Sequence, residues 1–326
     1  MNPIQPITPR PREINVVEPV SPALERVKLM LFNPFDLGKW FVIGFCAWLA
    51  YLGKGGGSAG FHGPSGGGHG GENFRHDFEQ AKNFILGNLE WIIPLAAFLV
   101  VICLGLWLLF LWLSSRGKFM FLHCVALDKA EVSEPWRRFA HEGNSLFRFR
   151  LGLGLLGGVL TLPIVALIAV MIYRMVQHGG PDVAGILGAV GLGLALIGLA
   201  MVLALIGKLT TDFVVPIMFL RRNRCLAAWR ELNGLLASNP GQFILYLLFS
   251  IVLAMVIGMI VLAVMLATCC FCCLMLLPYI GTVILLPVLM FKRCYSLYYL
   301  AQFGPEYDVF PPAAAVPPPY GSQPAT

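Results

Sequence analysis

Charge is scarce in this chain: 23 Lys and Arg with 17 Asp and Glu make up 12% of 326 residues, where soluble domains carry roughly 25%. With 58% apolar residues besides, a water-soluble globule of this size would leave too much apolar surface wet. A soluble enzyme, a disordered chain and a nucleic-acid binder are therefore excluded. No secretory signal is expected, because residues 1–30 are polar and Pro-rich with no apolar h-region, so insertion is expected to rely on the first span. Nine cysteines, an odd number lying mostly in or beside apolar runs, form no disulfide framework. Nucleophile–base pairs, phosphate loops and HExxH strings are missing. The GLGLLGG string at 152–158 sits inside an apolar run with no preceding strand and is no dinucleotide motif. No catalytic residue, cofactor or resident metal is expected, and the chain reads as a non-enzyme.

What is abundant is uninterrupted apolar sequence, with a mean hydropathy of +0.76. Charge-free windows hold 25 residues between Glu90 and Arg116, 23 between Arg150 and Arg174, 25 between Asp182 and Lys208, and 60 between Glu231 and Lys292. A span needs ~20 apolar residues, so the longest window holds two helices and a turn. A sixth segment, Trp40–Gly53, has 14 charge-free residues, and Lys39 and Lys54 lengthen it by snorkelling. Six crossings with both ends inside place 19 Lys and Arg on inner segments and 4 on outer ones; if the first segment stays outside, the split falls to 14 against 9. The expected fold is an all-α membrane protein, a six-helix transmembrane bundle built from three helical hairpins. The domain over 21–303 has spans at about 37–53, 91–113, 151–175, 184–207, 242–267 and 274–291. A disordered tail over 1–20 precedes it.

A short amphipathic stretch stands before each hairpin, over 22–32, 132–142 and 224–236, with apolar residues at 3–4 spacing. These are expected to be cytoplasmic interfacial helices, with Trp40, Trp136, Arg137, Arg138, Trp229 and Arg230 as membrane-interface residues; the plain alternative is ordinary packing at the end of a bundle. Asn33, Asn144 and Asn239 follow these stretches and are expected to cap the next helix. A slide of 93 residues superposes Trp136-Arg137 on Trp229-Arg230, and a slide of 71 brings Pro216 onto Pro287, so an internal duplication is expected.

The remaining constellations are weaker. Residues 54–73 are expected to form a flexible loop rich in Gly and His, and 304–326 a disordered Pro-rich tail. His62, His69 and His76 recur every seven residues, but a solvated loop explains them better than a metal site. Cys269, Cys270, Cys272 and Cys273 read as apolar filling of an outer turn, since adjacent thiols point apart. Lys208 and Asp212, at i and i+4, form a possible functional ion pair. At the membrane boundary the pair is ordinary; at mid-bilayer it would mark a transporter. The partner span begins at Arg150 and should end level with Lys208, which favours the boundary. Gly154, Gly158 and Gly188 are expected to let neighbouring helices approach.

The strings FNPFDLGKWF (32–41), LSSRGKFMFL (113–122), EPWRRFAHEGNSLF (134–147) and QFGPEY (302–307) resemble a group of uncharacterised bacterial polytopic membrane proteins. That group is loosely similar to the membrane domain fused to some glycerophosphodiester phosphodiesterases. The resemblance implies six or so helices and the bacterial inner membrane, and no activity, because the phosphodiesterase catalytic domain is not within these residues. The expected function is a multi-pass membrane protein that organises or binds membrane components. Its expected partners are membrane lipids, other membrane proteins or a homo-oligomer, and no nucleic acid. A transporter or channel for a lipid-like or small solute is the alternative.

Overall fold

The computed structural model describes residues 14–33, 35–52, 87, 89–177, 183–267 and 278–310, and every regular element among them is helical. In order these are α1 (Val20–Phe32), α2 (Leu37–Tyr51), α3 (Leu89–Leu127), α4 (Ser133–Arg138), α5 (Ala140–Gln177) and α6 (Val183–Leu209). A π turn (Thr210–Val214) continues α6 into α7 (Val215–Arg221). There follow α8 (Cys225–Ser238), α9 (Pro240–Ala267), α10 (Pro278–Ile284), α11 (Leu286–Ala301) and a 3₁₀ turn (Pro305–Tyr307). Long apolar runs become helices because hydrocarbon offers no hydrogen-bond partner, and a helix satisfies its backbone within one segment.

Four stretches are long and apolar enough to cross a membrane: Ile93–Leu127, Ala140–Arg174, Gly185–Arg221 and Pro240–Ala263. These make the chain a multi-pass membrane protein. Six spans are expected from the sequence, and two of the six segments differ from these four. Helix α2 has 15 residues, ~22 Å at ~1.5 Å per residue. The segment over 274–291 is divided at Leu285, with Pro287 in the first turn of α11. Residues 274–277, the His-containing loop and Cys269–Cys273 lie outside the described residues, as do 1–13 and 311–326 of the expected tails. Residues 14–20 and 304–310, expected to be disordered, are instead packed, with Val16, Tyr307, Val309 and Phe310 in the core, Tyr295 donating to the Val16 carbonyl and Phe310 stacked on Tyr298.

Burial is concentrated at one end. Phe119–Ala126 of α3, Leu146 of α5, Phe213–Met218 around the π turn, Phe243 and Tyr246 of α9 and Met290–Leu300 of α11 meet in a single core. Helices α3 and α6 enter this end by their C-terminal halves, and α5 and α9 leave it by their N-terminal halves, so the long helices alternate in direction. Beyond it their apolar faces stand open: Trp91–Phe110, Leu155–Tyr173, Val183–Leu205 and Ile244–Leu262 are rich in exposed large side chains. Helix α2 is laid tightly along α3. An added Cβ on Gly117 would fall 2.5 Å from the Leu49 carbonyl carbon and 2.6 Å from the Ala50 nitrogen. The Ser114 hydroxyl donates to the Ala50 carbonyl at 3.0 Å across the same joint.

All three amphipathic stretches contain helix, but they do not break alike. Helix α1 buries Ala23, Val27, Met30 and Leu31, and α8 buries Cys225, Ala228 and Leu232. The middle stretch is only the six residues of α4, and after a turn at Phe139 the chain runs unbroken through α5. Asn144 therefore does not cap a helix. It lies inside α5, where its Oδ1 accepts from Trp112 Nε1 at 3.1 Å and from Arg116 Nη2 at 3.3 Å. The N-cap of α2 is Asp36, whose carboxylate accepts from the Gly38 N–H, and Asn33 ends α1 instead. Pro216 and Pro287 both follow an irregularity, the π turn and the Leu285 break.

Candidate functional site

The apolar windows end in a belt of polar side chains at the packed end. Its centre is the π turn. The hydroxyls of Thr210 and Thr211 donate back to the carbonyls of Ile206 and Gly207, at 2.6 and 2.9 Å, and compete with the regular ladder. The Val215 N–H reaches the Thr210 carbonyl, an i→i+5 bond, and the Thr211 carbonyl takes a hydrogen bond from buried Arg293 Nη1 instead. The Nε and Nη2 atoms of Arg293 have no partner among the described residues. Lys118 Nζ donates to Thr211 Oγ1 at 2.8 Å. Lys208 and Asp212 do pair, at 2.9 Å, and Tyr246 Oη donates to the same carboxylate oxygen at 3.1 Å. With lipid left out of account, the Lys208 side chain is 39% exposed and the Asp212 side chain 20%.

Arg150 stands at the same level, its Nη1 donating to the hydroxyls of Ser114 and Ser115 at 3.2 and 3.1 Å. Above Arg150 and Lys118 opens a cleft of about 430 Å³ between α3, α5 and α6. Its walls are Trp107, Phe149, Leu153, Gly154, Gly157 and Leu203, with Thr210 beside the cations. The size falls within the ~300–1,000 Å³ of small-molecule sites. Among the described residues no carboxylate pairs with Arg150, so the cleft joins an apolar wall to a positive floor. Such a shape fits an amphiphile with an anionic head.

Of the expected packing glycines, Gly154 lies under the Trp107 ring, where a Cβ would sit at 3.6 Å, and Gly188 faces Met171. Gly158 faces open space, and the close contact in α5 falls on Gly157, where a Cβ would come within 2.9 Å of Leu203. The expected interface residues divide between inward and outward. Trp136 meets Trp112 edge-on at 5.7 Å, with the Arg116 guanidinium over both rings. Trp229 lies against Phe149, and Trp40 Nε1 donates to the Leu31 carbonyl at 2.8 Å. Arg137 and Arg230 are exposed, and Arg138 pairs with Glu134 at 3.4 Å.

Sequence reasoning missed Arg150, Lys118, Tyr246 and Arg293 as members of a site. Arg150 served only as a window boundary, and no local pattern announces a π turn. The one available signal was level: Lys118, Arg150 and Lys208 each stand at or just beyond the end of a charge-free window.

The fold and the belt define a polytopic helical membrane protein with a polar packed end. Residues 14–277 match the family of unknown function DUF7544, and the chain belongs to that family. Among curated proteins and among solved structures nothing matches it.

Proposed function

We propose that this is a non-catalytic protein of the bacterial inner membrane that binds a membrane component, an anionic amphiphile, in the cleft between α3, α5 and α6. The observation that carries the reading is the placement of Arg150 beneath walls of Trp107, Phe149, Leu153 and Leu203. A cation held at the edge of hydrocarbon is costly, and an anionic headgroup offsets that cost while its chain covers the apolar wall. The split of 19 Lys and Arg against 4 supports six crossings with the packed end and both termini in the cytoplasm. Exposed Glu25 and Lys28 on α1 and Arg224 and Arg230 on or beside α8 support interfacial helices there. Membrane lipids are the partners in this reading, and other membrane proteins or a second copy would pack on the exposed apolar arms.

The test is lipid retention. The protein is reconstituted in phosphatidylglycerol and phosphatidylcholine at 1:3, extracted in mild detergent and weighed by native mass spectrometry. Retention of phosphatidylglycerol above its share, lost in Arg150→Gln, supports the reading. Equal retention of both lipids, or enrichment unchanged in the variant, overturns it.

A transporter or channel is the second reading, supported by the π turn that interrupts a 37-residue helical run beside Lys208 and Asp212. Its mark would be collapse of folded yield in Asp212→Asn, restored by Lys208→Met with Asp212→Leu.

A further inference from the structure

Away from the cleft, the last turn of α3 carries a histidine that the packed end leaves idle. His123 is 1% exposed, and neither Nδ1 nor Nε2 has a hydrogen-bond partner among the described residues. Its ring is held edge-on by Phe139 and Phe219, so it cannot swing out to water without unpacking both. Burying an imidazole with both nitrogens unused is unfavourable unless something occupies one of them.

The chain brings two carboxylates to that ring. One ligand atom each from His123, Glu131 and Glu134 lie within 4.8 Å of one another. The connection from α3 to α4 is pinned to do this. Asp128 takes a left-handed conformation (φ 55°) and pairs with Lys39 of α2 at 2.7 Å. The Cys124 thiol donates to the Glu131 carbonyl at 3.7 Å, and Glu134 sits in the first turn of α4.

We propose that His123, Glu131 and Glu134 form a binding site for a divalent transition cation of the Zn²⁺ or Mn²⁺ class. One imidazole with two carboxylates suits such ions, whereas Ca²⁺ and Mg²⁺ prefer oxygen alone. Ligand atoms on one Zn²⁺ ion stand roughly 3.3 Å apart, from bonds of ~2.0–2.2 Å, so the two glutamates close onto a fixed His123 and water completes the shell. Arg138, 3.4 Å from Glu134, gives up that contact when the ion enters. The bound ion would clip the α3–α4 connection, and with it Arg137 and Arg138, to the end of α3. No motif predicts this set, because His123, Glu131 and Glu134 lie on two helices and the turn between them.

The experiment uses the full chain in nanodiscs, stripped with chelator, with His62, His69 and His76 changed to Ala so that the other histidine cluster cannot contribute. Zn²⁺ is titrated against a chromophoric chelator, and Co²⁺ absorption reports nitrogen and oxygen ligation. One equivalent of Zn²⁺ is expected, with affinity falling at least tenfold in His123→Phe, which keeps an aromatic ring between Phe139 and Phe219. The double variant Glu131→Gln with Glu134→Gln changes no core residue and should lose the site as well, so a poorly folding His123→Phe leaves the test intact. Absence of stoichiometric Zn²⁺ in the parent, or affinity unchanged in the Glu double variant, overturns the proposal.

Discussion

The packed end and the apolar arms are built from similarly apolar sequence, yet they are stabilised differently. At the packed end Phe119, Leu122, Phe213, Ile217 and Leu297 are fully buried, and Lys118, Asp212 and Tyr246 there find hydroxyl, ammonium or carboxylate partners. In the arms the apolar windows are almost wholly open: the windows of two long spans are 0% buried and those of the other two 6%. Water would not tolerate such arms, but lipid tails are as apolar as Leu, so lipid supplies what protein neighbours do not. Positional order therefore comes from the packed end, while the arms supply membrane residence.

The sharpest break of this comparison is all or none. A periplasm-active reporter fused after Ser65 should give signal, and one after Leu127, at the packed end, should give none. The reverse pattern would put the packed end and its cations outside.

Next in size is a pair of glycines. Gly117→Ala drives a Cβ into the backbone of α2, and overpacking of this kind costs about 1–3 kcal/mol or more. Gly193→Ala on the α6 arm meets nothing within 4 Å and should leave stability unchanged or slightly improved, since Ala favours helix over Gly. Thermal unfolding of both in one detergent checks the contrast; equal losses would mean that the arms are packed as tightly as the core.

Within the polar belt, Asp212→Leu should cost about 1–3 kcal/mol, because it strands the buried Tyr246 hydroxyl as well as Lys208. Lys208→Met should cost ~0–1 kcal/mol, as expected for a half-exposed partner. Denaturation midpoints in the two variants separate these, and a larger loss for Lys208→Met would place the pair deeper than the belt.

The smallest effect is expected at the rim. Trp136→Ala with Trp229→Ala removes ring pairs worth about 0.5–1.5 kcal/mol each, against Trp112 and Phe149. Insertion should be intact, and thiol labelling of single Cys residues placed at Arg137 and Arg230 should rise. Unchanged labelling would show that these rings do not anchor α4 and α8.

Much of the class was legible in residue types. Charge-free windows located the four long spans, because a charge in hydrocarbon is costly, although the helices themselves run on past the window ends, α3 beyond Arg116 and Lys118 to Leu127 and α5 from Ala140, ahead of Arg150. The Lys208–Asp212 pair was legible too, since i,i+4 spacing on a helix forces the two side chains together. Asn144 misled, because an Asn before an apolar run serves as well for a side-chain contact to Trp112 and Arg116 as for a cap. Gly158 misled for a related reason. A run with glycines on several faces does not say which face meets a neighbour, and the contact fell one residue earlier, at Gly157.

The sequence by itself determined that this protein resides in a membrane, where its four long apolar windows lie, and that its cations collect beyond them. These follow from transfer free energy, which is additive along the chain and needs no partner. Only the tertiary structure decided that Lys118 and Arg150 share the floor of one cleft, that the Thr211 carbonyl is taken by Arg293, and that His123 faces Glu131 and Glu134. Helices apolar on every face carry no periodicity to mark their contacting side, so those meetings are set by how α3, α5, α6 and α11 pack at one end.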